Sequence, residues 1–326
     1  MDSTQSVGVP PPTCKILSLD GGGAKGFYTL GVLSEIEAML GGAPLCEHFE
    51  LVFGTSTGAI IAALLALGYK VRDIHEIYRT HVPAIMGCLT TRGRTEALAH
   101  IANSVFGEKK FVDLKAGIGI VATRWLLETP MIFKADAAQA HGRRNSFVPG
   151  FGCTIAEAVR ASCSAYPFFH RVIVKTQQDG DVETFDGGYC ANNPTLYAIA
   201  DALTALGRDQ ADLRVLSVGV GKYPEPKRWM MPKYIILATA WARLGFKSLQ
   251  LLQKTLNVNT ASMDQLRLIL FKGIKTVRIN GKYTEPEMAT DLLESNRDKL
   301  NILYQRGRDS FGAHEAEITT LLSAQS

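Results

Sequence analysis

One serine stands out as a group that could do covalent chemistry. Ser56 lies in the pentapeptide GTSTG, residues 54–58, between an apolar run and an alanine- and leucine-rich helical pattern. A serine on a sharp strand-to-helix turn is exposed, and the flanking Gly54 and Gly58 let the backbone bend without a Cβ clash. The dipole of the following helix favours negative charge at this position. The pattern favours a nucleophile, and a serine that caps a helix in a glycine turn is the alternative.

A glycine loop is the second signal. Residues 21–26, GGGAKG, follow an apolar strand pattern and open a helical one, and they match GxGxxG. A dinucleotide-binding turn is one interpretation, although such a fold also needs an acidic residue about twenty positions on. Here the second predicted strand ends in the serine turn instead. An oxyanion hole made of glycine N–H groups is the other interpretation, and a plain tight turn is the third.

A nucleophilic serine needs a base. None of the seven histidines lies in a glycine-flanked motif at a strand end, whereas Asp186 ends a predicted strand and precedes Gly187 and Gly188. A carboxylate can accept the serine proton without a histidine if burial makes it basic enough. A hairpin turn is the alternative for an isolated Asp-Gly-Gly.

Composition limits the class of protein. The chain has 326 residues with 46% apolar content, which predicts a folded protein. Its net charge is only +4, so we do not expect a surface that binds nucleic acid over its whole extent. Its six cysteines form no CxxC pair, so they are expected to be reduced thiols, and no cluster predicts a metal site. The N-terminus lacks a signal-peptide pattern and no apolar run is long enough to span a membrane, so we expect a cytoplasmic protein with peripheral membrane contact.

Strand and helix patterns alternate through the first two thirds of the chain, which predicts an α/β sheet with parallel strands at its centre. We expect a flexible tail at 1–13, a catalytic domain at 14–220 and a mostly helical region at 221–326 packed on it. Helices are predicted there at about 233–256 and 285–311. The region could sense a ligand or contact a membrane.

A basic segment covers residues 222–282. On the predicted helix at about 233–256, Arg243, Lys247 and Lys254 fall on one face by their spacing. Such a face could lie on an anionic membrane or hold the phosphates of a nucleotide. A solvated face of a helix that covers the core is the alternative.

Four motifs together resemble those of the patatin-like phospholipases: DGGGAKG at 20–26, GTSTG at 54–58, ASCSAYPFF at 161–169 and DGGYCANNP at 186–194. The resemblance covers about residues 20–220. It implies a three-layer patatin-like sheet with a serine elbow, and a Ser–Asp dyad that cleaves lipid acyl esters without a metal or cofactor.

The resemblance also implies a role for individual residues. Ser56 would be the nucleophile and Asp186 the general base. The glycine loop would form the oxyanion hole, chiefly through Gly22 and Gly23 with help from the Thr57 amide. Lys25 would orient an anionic head group or stabilise the loop. The remaining loop and motif positions are Gly21, Gly26, Gly54, Gly58, Gly187 and Gly188, the last of which is alanine in many members.

The start of the chain at 15–33 and the tail at 285–311 resemble bacterial antiviral effectors of the CBASS type. This resemblance implies a phospholipase that a cyclic dinucleotide switches on, with membrane phospholipids as substrate and the inner membrane as its place of action. It further implies a homo-oligomer, with a larger assembly on activation, and no DNA or RNA partner. The alternatives are a constitutive lipase or esterase, a dinucleotide-binding oxidoreductase and a catalytically silent lipid-binding module.

Overall fold

The computed structural model of the protein describes residues 13–142, 144–226 and 240–323, with side chains in the longest helix described from residue 250. Within them, eight strands form one mixed sheet. The strands are β1 (Cys14–Leu19), β2 (Leu51–Thr55), β3 (Gly117–Arg124), β4 (Pro130–Phe133), β5 (Val172–Thr176), β6 (Gly180–Asp186), β7 (Leu213–Val218) and β8 (Lys275–Ile279). Nearly continuous apolar runs such as β1 and β7 are typical of strands that are buried on both faces.

The strand order is β5-β6-β3-β2-β1-β7-β8, with β4 paired to β3. Strands β3, β2, β1, β7 and β8 run parallel, so their carboxyl ends share one edge of the sheet. The register along β3 places two segments together there: Thr55 of β2 pairs with Val121, and Asp186 of β6 pairs with Ala122. The residue after Thr55 therefore lies beside the end of β6.

Helices cover both faces of the sheet. They are α1 (Gly26–Met39), α2 (Thr57–Ala66), α3 (Val71–Gly87), α4 (Thr91–Phe106), α5 (Ile155–Ser162), α6 (Gly188–Ala191), α7 (Thr195–Ala200), α8 (Ala240–Leu270), α9 (Arg297–Gly312) and α10 (Glu315–Ser323). Neighbouring residues of β1 point to opposite layers: Leu17 packs with α1 to α5, and Ile16 packs with α7. The predicted three-layer α/β fold is confirmed.

The helix predicted at about 285–311 is wrong in its first half. Apart from a short 3₁₀ turn at Pro286–Met288, only α9 is helical, because the side chain of Asn296 accepts hydrogen bonds from the N–H groups of Asp298 and Lys299 and so starts the helix there. The preceding segment follows the surface of the catalytic layer instead and buries Met288 and Leu292. The spacing of its apolar residues matches a helical pattern, although the segment does not form an α-helix.

The region from 221 onward contributes more than helices. β8 pairs in parallel with β7 and extends the same sheet. The predicted boundary at 220–221 therefore falls inside the sheet, and the division into a catalytic and a C-terminal region stays a prediction. The predicted start of the basic helix and most of the tail at 1–13 lie outside the described residues, whereas the helix itself runs on to Leu270.

Candidate active site

Ser56 occupies a strained turn between β2 and α2. Its backbone has φ 53° and ψ −122°, a conformation that a non-glycine residue rarely adopts. The neighbouring glycines leave no room for a side chain. A Cβ on Gly54 would lie 2.2 Å from the carbonyl oxygen of Gly58, and one on Gly58 would lie 2.3 Å from that of Leu19. Close backbone packing thus fixes the serine at the edge where the parallel strands end.

A second serine holds this turn in place. The Ser162 hydroxyl accepts a hydrogen bond from the Ser56 N–H at 2.9 Å and donates one to the Val121 carbonyl at 2.6 Å. It therefore ties the elbow to β3 at the residue next to the pairing partner of Asp186. Ser162 belongs to the motif at 161–169, but nothing in its spacing indicated this role.

Asp186 lies at the end of β6 and is only 2% exposed. Burial raises the pKa of its carboxyl to about 6, although the Gly188 N–H at 2.7 Å and the Ser56 hydroxyl both stabilise the charged form. A carboxylate with such a pKa is a stronger base than an exposed one and is still ionised at neutral pH.

The glycine loop lies against the same pocket. Gly21 donates its N–H to the Asn192 carbonyl at 2.9 Å, and Ala24 donates to the Leu292 carbonyl at 3.1 Å. Between them, the N–H groups of Gly22 and Gly23 donate to none of the described residues. Gly23 has φ +57°, and a Cβ there would lie 2.4 Å from the Leu292 carbonyl oxygen. The loop thus leaves two adjacent N–H groups free beside Ser56.

Lys25 does not line this pocket. It is buried, and burial lowers the pKa of its ammonium to about 8, against the opposing influence of Asp291 and Asp20. Of the two roles that the sequence left open, this position favours stabilising the loop over contacting a head group. Gly26 packs closely as well, because a Cβ there would lie 2.4 Å from the Thr57 hydroxyl.

A buried ion pair supports the loop from behind. Arg278 of β8 donates from both terminal nitrogens to the two carboxylate oxygens of Asp20, and it also donates to the Ser217 hydroxyl at 2.8 Å. Arg278 belongs to the basic segment that the sequence linked to phosphates. Since its guanidinium is occupied here, it is not available to an external anion.

The pocket that contains these groups has mainly apolar walls. Ser56, Asp186, Gly22, Gly23 and Thr57 line its polar end. Its walls are Ile60, Val82, Ile85, Met86, Leu98, Cys163, Ala165, Phe168, Phe169, Asn192, Leu252, Leu256, Leu292 and Leu293. No histidine of the described chain lines it. The geometry provides a hydroxyl, a buried carboxylate and free N–H groups next to an apolar space, which suits attack on an ester that carries a long acyl chain.

Two leucines of α8 and two of the segment before α9 cover this pocket. With them in place, its free volume is about 60 Å³, well below the roughly 300–1,000 Å³ of ordinary small-molecule sites. The pocket is therefore too narrow here for an acyl chain, and lining side chains must move to admit one.

Of the basic face predicted to bind a ligand, the structure describes only the side chain of Lys254, which does not line the pocket. The side chains of Arg243 and Lys247 lie outside the described residues. Lys254 forms an exposed ion pair with Glu225 at 2.6 Å. Within the described parts, no group of acidic, cysteine and histidine side chains is arranged to hold a metal, and no helix is both long and apolar enough to cross a bilayer.

The fold is an α/β scaffold with a largely apolar pocket at the edge where its parallel strands end. Comparison with known proteins gives its family. The model of the patatin-like phospholipases matches residues 17–199. The chain belongs to this family, and it is an enzyme of the hydrolase class.

The names of individual relatives are more specific than the description of the family. The chain is 60% identical over 309 residues to a cUMP-AMP-activated phospholipase of Escherichia coli, which covers 95% of this chain and 94% of that protein. It is 28% identical over 220 residues to a cGAMP-activated phospholipase of Pseudomonas aeruginosa strain BWHPSA011 / Pa011, covering 64% and 62%. A cGAMP-activated phospholipase of Vibrio cholerae is 27% identical over 236 residues, covering 63% of each chain.

Proposed function

We propose that this phospholipase cleaves acyl esters of membrane phospholipids with a Ser56–Asp186 dyad, and that a cyclic dinucleotide activates it in antiviral defence. The observation that carries the catalytic part is the shared pocket, in which a strained serine, a buried carboxylate and two free glycine N–H groups meet. The names of three relatives support the activation.

The reaction has two steps. The Ser56 oxygen attacks the ester carbonyl while Asp186 accepts its proton, and the carbonyl oxygen becomes an oxyanion beside the N–H groups of Gly22 and Gly23. Each such donor typically stabilises the transition state by about 3–4 kcal/mol. The proton on Asp186 then goes to the leaving lysolipid alkoxide. In the second step, Asp186 takes a proton from water, which attacks the acyl-serine. The proton then passes from Asp186 to the Ser56 oxygen as the acyl–oxygen bond breaks, which releases the fatty acid and restores the enzyme.

An apolar path for the acyl chain continues from the pocket. A smaller cavity of about 40 Å³ with mainly apolar walls adjoins the pocket and shares Ile60, Val82, Ile85 and Leu98 with it. These four side chains come from α2, α3 and α4. A chain that passes between them would remain in apolar surroundings along its length, which favours a long acyl group over a short one.

Hydrolysis of phospholipid vesicles with and without cUMP-AMP tests the proposal. We expect release of fatty acid to rise strongly when the nucleotide is added, because the pocket is covered in this structure. Equal activity in both samples would leave the phospholipase but remove the nucleotide control, and it would favour the constitutive lipase. The family membership already favours a hydrolase over the dinucleotide-binding oxidoreductase.

Replacing Ser162 by alanine should disturb the elbow. The Ser56 N–H and the Val121 carbonyl would lose their shared partner inside the protein, so we expect a loss of about 1–3 kcal/mol of unfolding free energy. We also expect kcat to fall with little change in KM. The control is Ser164→Ala, which removes a single hydroxyl donation to the Arg160 carbonyl. Urea unfolding and ester kinetics measure both effects, and a Ser162→Ala variant that matches the control would contradict this role.

An exposed apolar surface at the turn between β3 and β4 suits a bilayer. Leu126 and Leu127, in the turn between β3 and β4, are 86% and 60% exposed. The neighbouring Trp125 contacts Tyr166 at 5.7 Å between ring centroids, and the Arg171 guanidinium lies 4.2 Å from the Trp125 ring centre. Tryptophan, tyrosine and arginine beside exposed leucines are typical of membrane interfaces. Peripheral membrane association through this turn is part of the proposal.

The double variant Leu126→Asp, Leu127→Asp should lose activity on vesicles. We expect a decrease of about tenfold or more, because each leucine would no longer enter the apolar layer. Hydrolysis of a soluble short-chain ester should change little, since neither side chain lines the pocket. Ile302→Asp, an exposed apolar position on α9, is the control. Equal vesicle activity of the double variant and the control would exclude this surface.

A further inference from the structure

Another pocket is separate from both the catalytic pocket and the apolar cavity next to it. It shares no lining residue with either of them. It is formed where the segment after β4 meets α7 and the loop at 144–151. Its position is near the amino end of β3, because the Gln139 side chain there donates to the Ile118 carbonyl at 3.0 Å. The pocket has a volume of about 490 Å³, which is within the roughly 300–1,000 Å³ of sites for ligands of drug size.

The charged groups of this pocket serve no step of the hydrolysis. Asp201 accepts hydrogen bonds from Lys134 at 2.5 Å and from Gln139 at 3.1 Å, and His141 Nε2 lies 2.6 Å from the same carboxylate. The side chain of Asp201 is 3% exposed, against 11% for Lys134 and 43% for His141. The carboxylate is thus at the back, and the groups that can carry positive charge are closer to solvent. Lys134 also donates to the Gln139 carbonyl at 3.2 Å, and His141 Nδ1 lies 2.9 Å from the Thr204 hydroxyl, so both groups are held in place by partners within the protein.

The remaining lining includes flat apolar groups. Phe147 and Tyr197 line the pocket, and both are partly exposed. Aromatic rings of this kind can stack on nucleobases. The helix that carries Tyr197 changes from α to π geometry at Asp201–Ala205, and short π segments inside helices are frequent at functional sites.

Given the proposed activation, we infer that this pocket binds the cyclic dinucleotide, with Phe147 and Tyr197 stacked on its bases. This site differs from the one that the sequence predicted. The basic helix offers Lys254, but that side chain is exposed, paired with Glu225 and not part of an enclosed space.

The short segment between α6 and α7 connects this pocket to the catalytic one. Asn192 lies five residues before Tyr197 and lines the catalytic pocket. It holds the glycine loop through Gly21 and holds α8 through two bonds, from its N–H to Asn259 at 2.8 Å and from its side chain to Thr260 at 2.7 Å. A ligand that shifts α7 would therefore act on both the oxyanion loop and the helix that covers the pocket.

Calorimetric titration of the full chain with cUMP-AMP tests the inference. We expect Tyr197→Ala and Phe147→Ala each to weaken binding by about tenfold or more, because each removes one stacking surface. Tyr197→Phe keeps the ring and should bind nearly as the unmodified chain does. Lys254→Ala, in the basic helix, is the control and should also bind normally. Thermal unfolding of each variant checks that it is folded.

The outcomes separate the two levels of the proposal. If the unmodified chain binds cUMP-AMP and both alanine variants of the aromatic residues bind equally well, this pocket is not the site. A loss confined to Lys254→Ala would place the nucleotide at α8 and overturn the inference. If the unmodified chain binds neither cUMP-AMP nor cGAMP, nucleotide control itself is wrong and the inference falls with it.

Discussion

Replacing Ser56 by alanine is expected to lower kcat for phospholipid hydrolysis by at least about a thousandfold, because the acyl-enzyme can no longer form. The fold should persist, since alanine keeps the Cβ that this strained turn already accommodates and the Ser56 N–H still donates to Ser162. Release of fatty acid from vesicles in the presence of cUMP-AMP measures the loss.

His314→Ala is the control for that experiment. Its ring lies 2.9 Å from the Ser310 carbonyl and does not line the pocket, so we expect unchanged activity. Full activity of Ser56→Ala would exclude the nucleophile. A loss in His314→Ala as large as that in Ser56→Ala would point to a three-residue triad in place of the dyad.

Replacing Asp186 by asparagine should have two large and opposite effects. Hydrolysis should fall by a factor similar to that of Ser56→Ala, because asparagine cannot accept the serine proton. The folded protein should become more stable at neutral pH, because a buried charge is removed while Oδ1 can still accept the hydrogen bond from Gly188.

The pKa of Asp186 gives the size and sign of the stability effect. Its folded value of about 6 lies above the ordinary value of 3.8, so the folded state holds this proton more tightly than the unfolded state does. The protein therefore loses stability from this group as pH rises from about 4 to about 6, and the loss reaches about 3 kcal/mol above that range. Asp186→Asn should regain it at pH 8 and gain little at pH 4.

Two measurements check this prediction. Urea unfolding of both forms at pH 8 and pH 4 gives the stability difference. The pH profile of kcat/KM gives the pKa of the group that acts as the general base. In the unmodified enzyme, activity should decrease as pH falls through about 6, because the carboxylate becomes protonated. An equally stable variant at pH 8, or a profile that stays flat down to pH 5, would show that Asp186 is not the buried base.

The parts of the site that lie in short motifs could be predicted from the sequence. Glycines at 54, 58 and 187 mark places where backbone segments touch. Parallel strands bring the serine turn and the glycine loop to one edge of the sheet, and Asp186 meets them because the antiparallel β6 ends beside Ala122. The residues alone left a hairpin turn open for Asp186, and the family resemblance of the four motifs together placed Ser56, Asp186 and the glycine loop in one site.

The supporting contacts could not be predicted in this way. Ser162, Asn192 and Arg278 act through partners that are 106, 171 and 258 positions away in the chain, and a serine, an asparagine or an arginine has no spacing that names such a partner. The second pocket likewise combines residues from 132 to 201 without a motif. The apolar spacing of the segment before α9 wrongly predicted a helix, because its apolar residues are buried individually along an irregular backbone.

Labelling with a fluorophosphonate, followed by mass spectrometry of the peptides, tests directly whether Ser56 and Asp186 act as a catalytic dyad. With cUMP-AMP present, we expect one adduct, on the hydroxyl of Ser56, and much slower labelling of the Asp186→Asn variant. An adduct on any other residue, or labelling of Ser56 at an unchanged rate in Asp186→Asn, would contradict the dyad.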